Sequence, residues 1–178
     1  MHPTLNLYRR DKAHPSIRCV LRESQKIKVR IQAKLSCTAS RAWEVVKKPC
    51  LLNHVTTPLL KFAPLNAQGF PETWKEGDFF VTMFGFGFLP LGVERIGVSI
   101  STDENGASCL RDDGGGALVR SWDHLITVRS EGEEVCIYSD TVDITAGTIT
   151  PLIWIFAQLF YRRQHRWRHL VADNFQYS

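Results

Sequence analysis

The chain of 178 residues is poor in the features that mark a protein for a special environment. Its five cysteines, Cys19, Cys37, Cys50, Cys109 and Cys136, are odd in number and form no C-x-x-C pair. That excludes a regular disulfide frame and favours cysteine as a small apolar filler in a reducing compartment. The longest apolar run, Pro151 to Ala157, falls far short of the roughly 20 residues of a bilayer span. The first ten residues lack the apolar core of a signal peptide, so a cytoplasmic location is expected. Charge of one sign is also scarce: 22 Lys and Arg against 18 Asp and Glu leave a net charge of +4. Without a stacking motif or a recognisable binding module beside it, that excess does not point to nucleic acid. One domain is expected at this length, with residues 1–15, polar and aperiodic, as a loose arm and 16–178 as the domain.

What the chain does have is alternation. Val29, Ile31, Ala33, Leu35 and Cys37 interleave with Lys28, Arg30, Gln32, Lys34 and Ser36, the pattern of a strand with one wet face. Ser40 is placed to cap a short helix carrying Trp43, Val45 and Val46, ended by Pro49, and a second short helix is expected over 51–55. Further strands are expected at 59–65, 79–88, 93–100, 109–111, 118–128 and 135–144, with Asn105-Gly106 as the clearest hairpin signal. Within 79–88, Phe80, Phe84, Phe86 and Phe88 share one parity, and Val81, Met83, Gly85 and Gly87 the other. The small face would let a helix or a ligand approach closely. Asp112-Asp113-Gly114-Gly115-Gly116 lacks the lysine and the helix of a phosphate loop and reads as a flexible turn.

The last thirty residues organise the expected fold. Thr150-Pro151 supplies a cap and a first-turn proline, and Leu152, Ile153, Ile155, Phe156, Leu159 and Phe160 recur at helical spacing. The pattern predicts a helix of roughly two dozen residues, about 36 Å long, apolar at its start and basic at its end through Arg162, Arg163, Arg166 and Arg168. Fold class α+β follows: a curved antiparallel sheet of about seven strands wrapped around a long C-terminal helix, with two short helices after the first strand.

That element order, with Trp43, the Trp74-Lys75-Glu76-Gly77-Asp78 corner, the Arg120-Ser121-Trp122-Asp123-His124 strand and Asp140-Thr141-Val142-Asp143-Ile144, resembles the helix-grip domains of the START-like superfamily. This superfamily includes polyketide cyclases, lipid-transfer domains and ligand-binding proteins. The resemblance implies a hydrophobic or amphipathic small molecule held between sheet and helix, and it hosts carriers, sensors and enzymes alike.

Candidate ligand-binding residues are Phe84, Phe86, Arg120, Trp122, His124, Tyr138, Asp140 and Phe156. If a three-residue turn follows Ser130, His124 stands opposite Asp140 on the inward parity. The pair then satisfies itself as a buried polar contact, or serves as the acid/base pair of a cyclase, dehydratase or hydrolase. Arg120, on the same parity, is expected to take the Asp140 carboxylate and leave His124 neutral. His165 and His169 have the i, i+4 spacing of metal ligands, but the arginines around them favour a solvated basic face, so no metal and no cofactor are expected. The same basic end offers a peripheral contact for acidic membrane lipids.

Overall fold

The computed structural model describes residues 26–117, 119–145, 170, 171, 174 and 175. The strands are β1 (Lys26–Leu35), β2 (Leu60–Pro64), β3 (Gly77–Gly85), β4 (Leu89–Thr102), β5 (Ser108–Gly116), β6 (Ser121–Ser130) and β7 (Cys136–Thr145). They form one antiparallel sheet in the order β1-β7-β6-β5-β4-β3-β2. From β2 to β7 each strand pairs with the one before it in sequence, and β1 closes against β7, pairing Lys26 with Thr145 and Leu35 with Cys136. The two helices that follow β1, α1 (Ala39–Val46) and α2 (Pro49–Thr56), lie between the first and second strands in sequence.

The local chemistry explains both helices. Thr38, rather than Ser40, is the N-cap of α1, its hydroxyl oxygen accepting from the Arg41 N–H at 3.1 Å. Ala42, Val45 and Val46, spaced i, i+3, i+4, are buried on one face. Pro49 does not merely end α1. It occupies the first turn of α2, where its missing N–H costs nothing. Asn53 of α2 reaches the edge strand β2 with both halves of its amide: Oδ1 accepts from Phe62 N–H at 2.7 Å, and Nδ2 donates to the Phe62 carbonyl at 3.0 Å. A side chain thus supplies the ladder bonds that an edge strand otherwise leaves open.

Trp74 anchors the long connection before β3. Its N–H donates to the Lys47 carbonyl at 2.7 Å, and its ring meets Phe70 and Phe79 edge to face at 5.4 and 5.0 Å. It joins Leu35, Val46, Val81, Val128 and Tyr138 in the core, with Leu170 and Phe175 added from the described C-terminal residues. Arg41 lies 5.4 Å over the Phe175 ring and donates to the Asn174 carbonyl at 3.1 Å.

Several expectations need correction. The described elements are seven strands and two eight-residue helices, and the long C-terminal helix is not among them. Of the stretch assigned to it, 148–177, only residues 170, 171, 174 and 175 are described; the basic positions Arg162, Arg163, Arg166 and Arg168 and the pair His165 and His169 lie outside the described residues. Periodicity states which face a segment would bury as a helix. It does not establish that the helix forms or what it covers, and the described cover of the sheet comes from α1, α2, Leu170 and Phe175. The expected arm, 1–15, also lies outside the described residues. Asp112 to Gly116 is strand β5 rather than a flexible turn, because the flanking ladders with β4 and β6 supply the order that local composition lacks. The Asn105-Gly106 turn is held by Asp103, whose Oδ1 accepts from Asn105 and Ala107 N–H at 2.9 and 2.8 Å. Only Gly106 there has positive φ, at 77°, so it is not a type I′ hairpin.

Candidate functional site

A cavity of about 520 Å³ opens between the sheet and α2. Leu51, Leu52 and Val55 of α2 form one wall, Ile96, Val98 and Leu110 face them from β4 and β5, and Trp122, Ile126 and Val142 continue the surface onto β6 and β7. The alternation of each strand makes this possible: the parity that carries the branched residues faces inward, and the other parity carries ions to solvent. Arg111 binds Asp123 on the outside through two bonds of 2.7 Å, and Arg95 reaches Asp78 and Asp113 at 2.7 and 3.2 Å.

On β5, glycine lets the strand pass close against β4 beside the cavity. A Cβ at Gly116 would run into the Glu94 carboxyl and the Val93 carbonyl, and one at Gly114 into the Arg95 carbonyl. Gly85 of β3 is buried, and a Cβ there would touch Leu91, a cavity residue, at 3.3 Å, whereas Gly87 borders open space. The close neighbour of Gly85 is therefore a side chain of β4 rather than the helix or ligand expected at the small face of β3, and Gly87 has none within 4 Å.

A chain of three polar side chains runs through the wall. His124 Nε2 lies 2.6 Å from Asp140 Oδ1, and the Tyr138 hydroxyl donates to Asp140 Oδ2 at 2.8 Å. The pairing arises differently from the expected register. Ser130 faces Cys136, so His124 faces Val142 and Ile126 faces Asp140. The contact is a diagonal one, about 7–8 Å between backbones and within reach of long side chains. A longer turn, closed by Glu131 N–H to the Val135 carbonyl at 2.9 Å, shifts the register by two. The shift preserves parity, so the inward face survives it.

Electrostatics centre on the same spot. Burial, the largest single influence on His124, favours its neutral form, but the charge and hydrogen bond of Asp140, with Asp112 and Asp123 adding, hold its pKa above the ordinary value. Asp112 of β5 stands directly across from His124 and also lines the cavity. Burial pushes its carboxyl up to about 6, against the pull of His124 and of hydrogen bonds from Gly97 and Gly114 N–H. The Gly97 bond to Asp112 Oδ1 measures 2.9 Å.

Of the residues expected from sequence, Trp122, His124, Tyr138 and Asp140 line the cavity. Phe84 is half-buried and does not, Phe86 is 64% exposed in the turn after β3, and Phe156 lies outside the described residues. Arg120 is exposed and does not hold Asp140; Tyr138 takes that place. The reason is positional: β6 begins at Ser121, so Arg120 sits before the last ladder pair, Ser121 with Thr145. Sequence reasoning missed Asp112 and buried Glu94, which also lines the cavity. Both were legible by parity, since Glu94 shares it with Ile96 and Val98, and Asp112 with Leu110.

No protein-family model matches the chain, and no curated protein matches it in sequence. In three dimensions it is similar to a point mutant of norcoclaurine synthase from Thalictrum flavum in complex with a transition-state analogue. That match has a TM-score of 0.54 and 16% identity over 86% of this chain and 99% of that one. A protein from Chromobacterium violaceum matches with TM-score 0.53 and 14% identity, over 84% of this chain and 99% of the other. A conserved protein from Geobacillus kaustophilus matches at 0.50 and 10%, over 83% and 96%. At such identities the likeness concerns the fold alone. No helix among the described residues is long and apolar enough to cross a membrane.

Proposed function

We propose that this START-like domain binds a small, mainly apolar molecule in the cavity beside α2, as a carrier or sensor. The observation that carries the reading is the cavity itself, about 520 Å³ of space walled by branched and aromatic side chains, with a few convergent polar groups. Small-molecule sites span roughly 300–1,000 Å³ and share that composition. Affinity would come from burial, at about 25 cal/mol per Å² of apolar surface, and orientation from His124, Tyr138 and Asp140. The likeness to a synthase that holds a transition-state analogue supports a ligand-binding use of the scaffold. Acidic lipid head groups meeting Arg162, Arg163, Arg166 and Arg168 belong to the same proposal, and co-sedimentation with vesicles with and without phosphatidylserine tests them.

The test of the cavity is native mass spectrometry of freshly purified full-length protein, joined to titration with Nile red, an uncharged apolar dye. A co-purifying small molecule or saturable dye binding is expected, and Ile126→Trp, which fills the cavity, should weaken the dye. Absence of both a bound mass and saturable dye binding in the folded wild type would end this reading.

One observation favours a second reading, an enzyme of cyclase, dehydratase or hydrolase type. A general acid or base must be within hydrogen-bond reach of its orienting group and must face the substrate. His124 meets both requirements, with Asp140 at 2.6 Å and the cavity on its open side. Turnover of a cavity ligand that is lost in His124→Gln while binding persists would select the enzyme.

A further inference from the structure

We infer that the cavity selects an organic cation: its ligand is an amphipathic amine whose ammonium docks at Asp112. The inference deepens the ligand-binding reading above and rests on it.

Three titratable side chains from three neighbouring strands meet at one place on the cavity wall: Asp112 on β5, His124 on β6 and Asp140 on β7. The imidazole is committed to Asp140 by the 2.6 Å bond, and Tyr138 takes the other oxygen of that carboxylate. Among the described residues Asp112 has no such partner for its charge. Its nearest stabilisers are the dipoles of two backbone N–H groups, from Gly97 and Gly114, and the charge of a histidine that already neutralises Asp140. Even with the imidazole protonated, two carboxylates face one cation, so the cluster keeps a surplus negative charge.

The other basic side chains that line the cavity do not reduce it. The Arg95 guanidinium is turned outward to Asp78 and Asp113, and Lys48 is exposed at the start of α2. Among the described residues no group of three metal-type ligands is arranged around an ion, so a bare metal ion is not the fitting cation. A charge beside apolar walls is expensive unless it is paired, and a ligand bearing an ammonium next to an apolar body supplies the pairing and fills the space at once. An anionic ligand of the same shape meets repulsion, strengthened by the low dielectric of the site.

The experiment uses three probes of one shape, 2-(1-naphthyl)ethylamine, 2-(1-naphthyl)ethanol and 1-naphthylacetic acid, titrated calorimetrically into the full-length protein at neutral pH. The amine should bind at least about tenfold tighter than the alcohol, a difference of about 1.4 kcal/mol, and the acid weakest of the three. In Asp112→Asn the amine should lose its lead over the alcohol. Equal binding of alcohol and amine by the wild type, or a lead for the acid, overturns the inference and leaves the cavity reading standing. Binding of none of the three overturns both. The wild-type ranking decides even where the variant fails to fold.

Discussion

Replacing Asp112 by Asn should change how stability depends on pH, and by an amount the structure fixes. The carboxyl titrates at 3.8 when unperturbed and at about 6 in the fold, burial being the main cause. Its folded pKa is raised, so the native state holds the proton more tightly than the unfolded chain does. The resulting stabilisation is complete below about pH 4 and is lost as pH rises through about 6. Two pK units and a little more correspond to about 3 kcal/mol at 1.36 kcal/mol per unit. The Asn side chain keeps the acceptor for Gly97 N–H but carries no charge. Any cost of that swap is the same at every pH, so the informative quantity is the change, not the offset. Urea denaturation of both proteins at about pH 3 and about pH 7 should show the variant gaining about 3 kcal/mol on the wild type between the two. His124 is present in both proteins, so its titration cancels apart from the share that Asp112 contributes. A stability difference that stays constant across this interval would refute the burial of Asp112 as an uncompensated acid. A difference that moves in the opposite direction would mean the carboxylate is stabilised by a cation.

Three further outcomes are expected. In an NMR titration, the pKa of His124 should fall in Asp140→Asn, since the charge and hydrogen bond of Asp140 hold it up; because the folded pKa of His124 is raised, the stability it brings is present in acid and disappears as pH rises through that folded value, and an unchanged pKa would mean the ion pair is absent in solution. Asn53→Ala should cost about 1–3 kcal/mol by chemical denaturation, since it strips both bonds from Phe62 of the edge strand, and a loss within error would show that water serves the edge as well. The Cys37 and Cys136 thiols lie 4.0 Å apart in the core; burial, then the neighbouring Cys37 thiol, pushes Cys136 up to about 12, and burial raises Cys37. Mass-spectrometric mapping after a brief thiol-reagent pulse should find exposed Cys50 labelled and these two untouched.

The parts of this molecule that could be read from sequence are those governed by period. Period and turn signals place the strands near their observed positions apart from β5, of which only 109–111 is expected, and parity gives the inward face of β6, which is why Trp122 and His124 were found. Parity also explains how the His124 and Asp140 contact survived a register wrong by two residues. Position along a strand was harder. Arg120 was taken as part of β6, and only the ladder ending at Ser121 excludes it. The acid at Asp112 was hidden by its neighbours: a run of two acids and three glycines has the composition of a turn, and only pairing on both sides makes it a strand. The phenylalanines that share a parity in 79–88, Phe80, Phe84, Phe86 and Phe88, misled in the other direction. Phe84 and Phe86 are expected to meet the ligand, yet Phe86, like Phe80 and Phe88 of the same parity, is more than half exposed, because the close packing of Val81 and Met83 decides which face of β3 turns in.

The glycines of β5 bear on how a cavity of this kind can change over evolutionary time. Where Gly114 and Gly116 pass Glu94 and the backbone of β4, no residue larger than hydrogen fits, so that wall is closed to variation. The opposite wall is not. Leu52 and Val55 of α2 and Leu60 of β2 are only half-buried while lining the same space, and each tolerates a larger or smaller side chain without disturbing a ladder. New ligand preferences should therefore arise through α2 and the β2 rim, while the floor beneath them stays as it is.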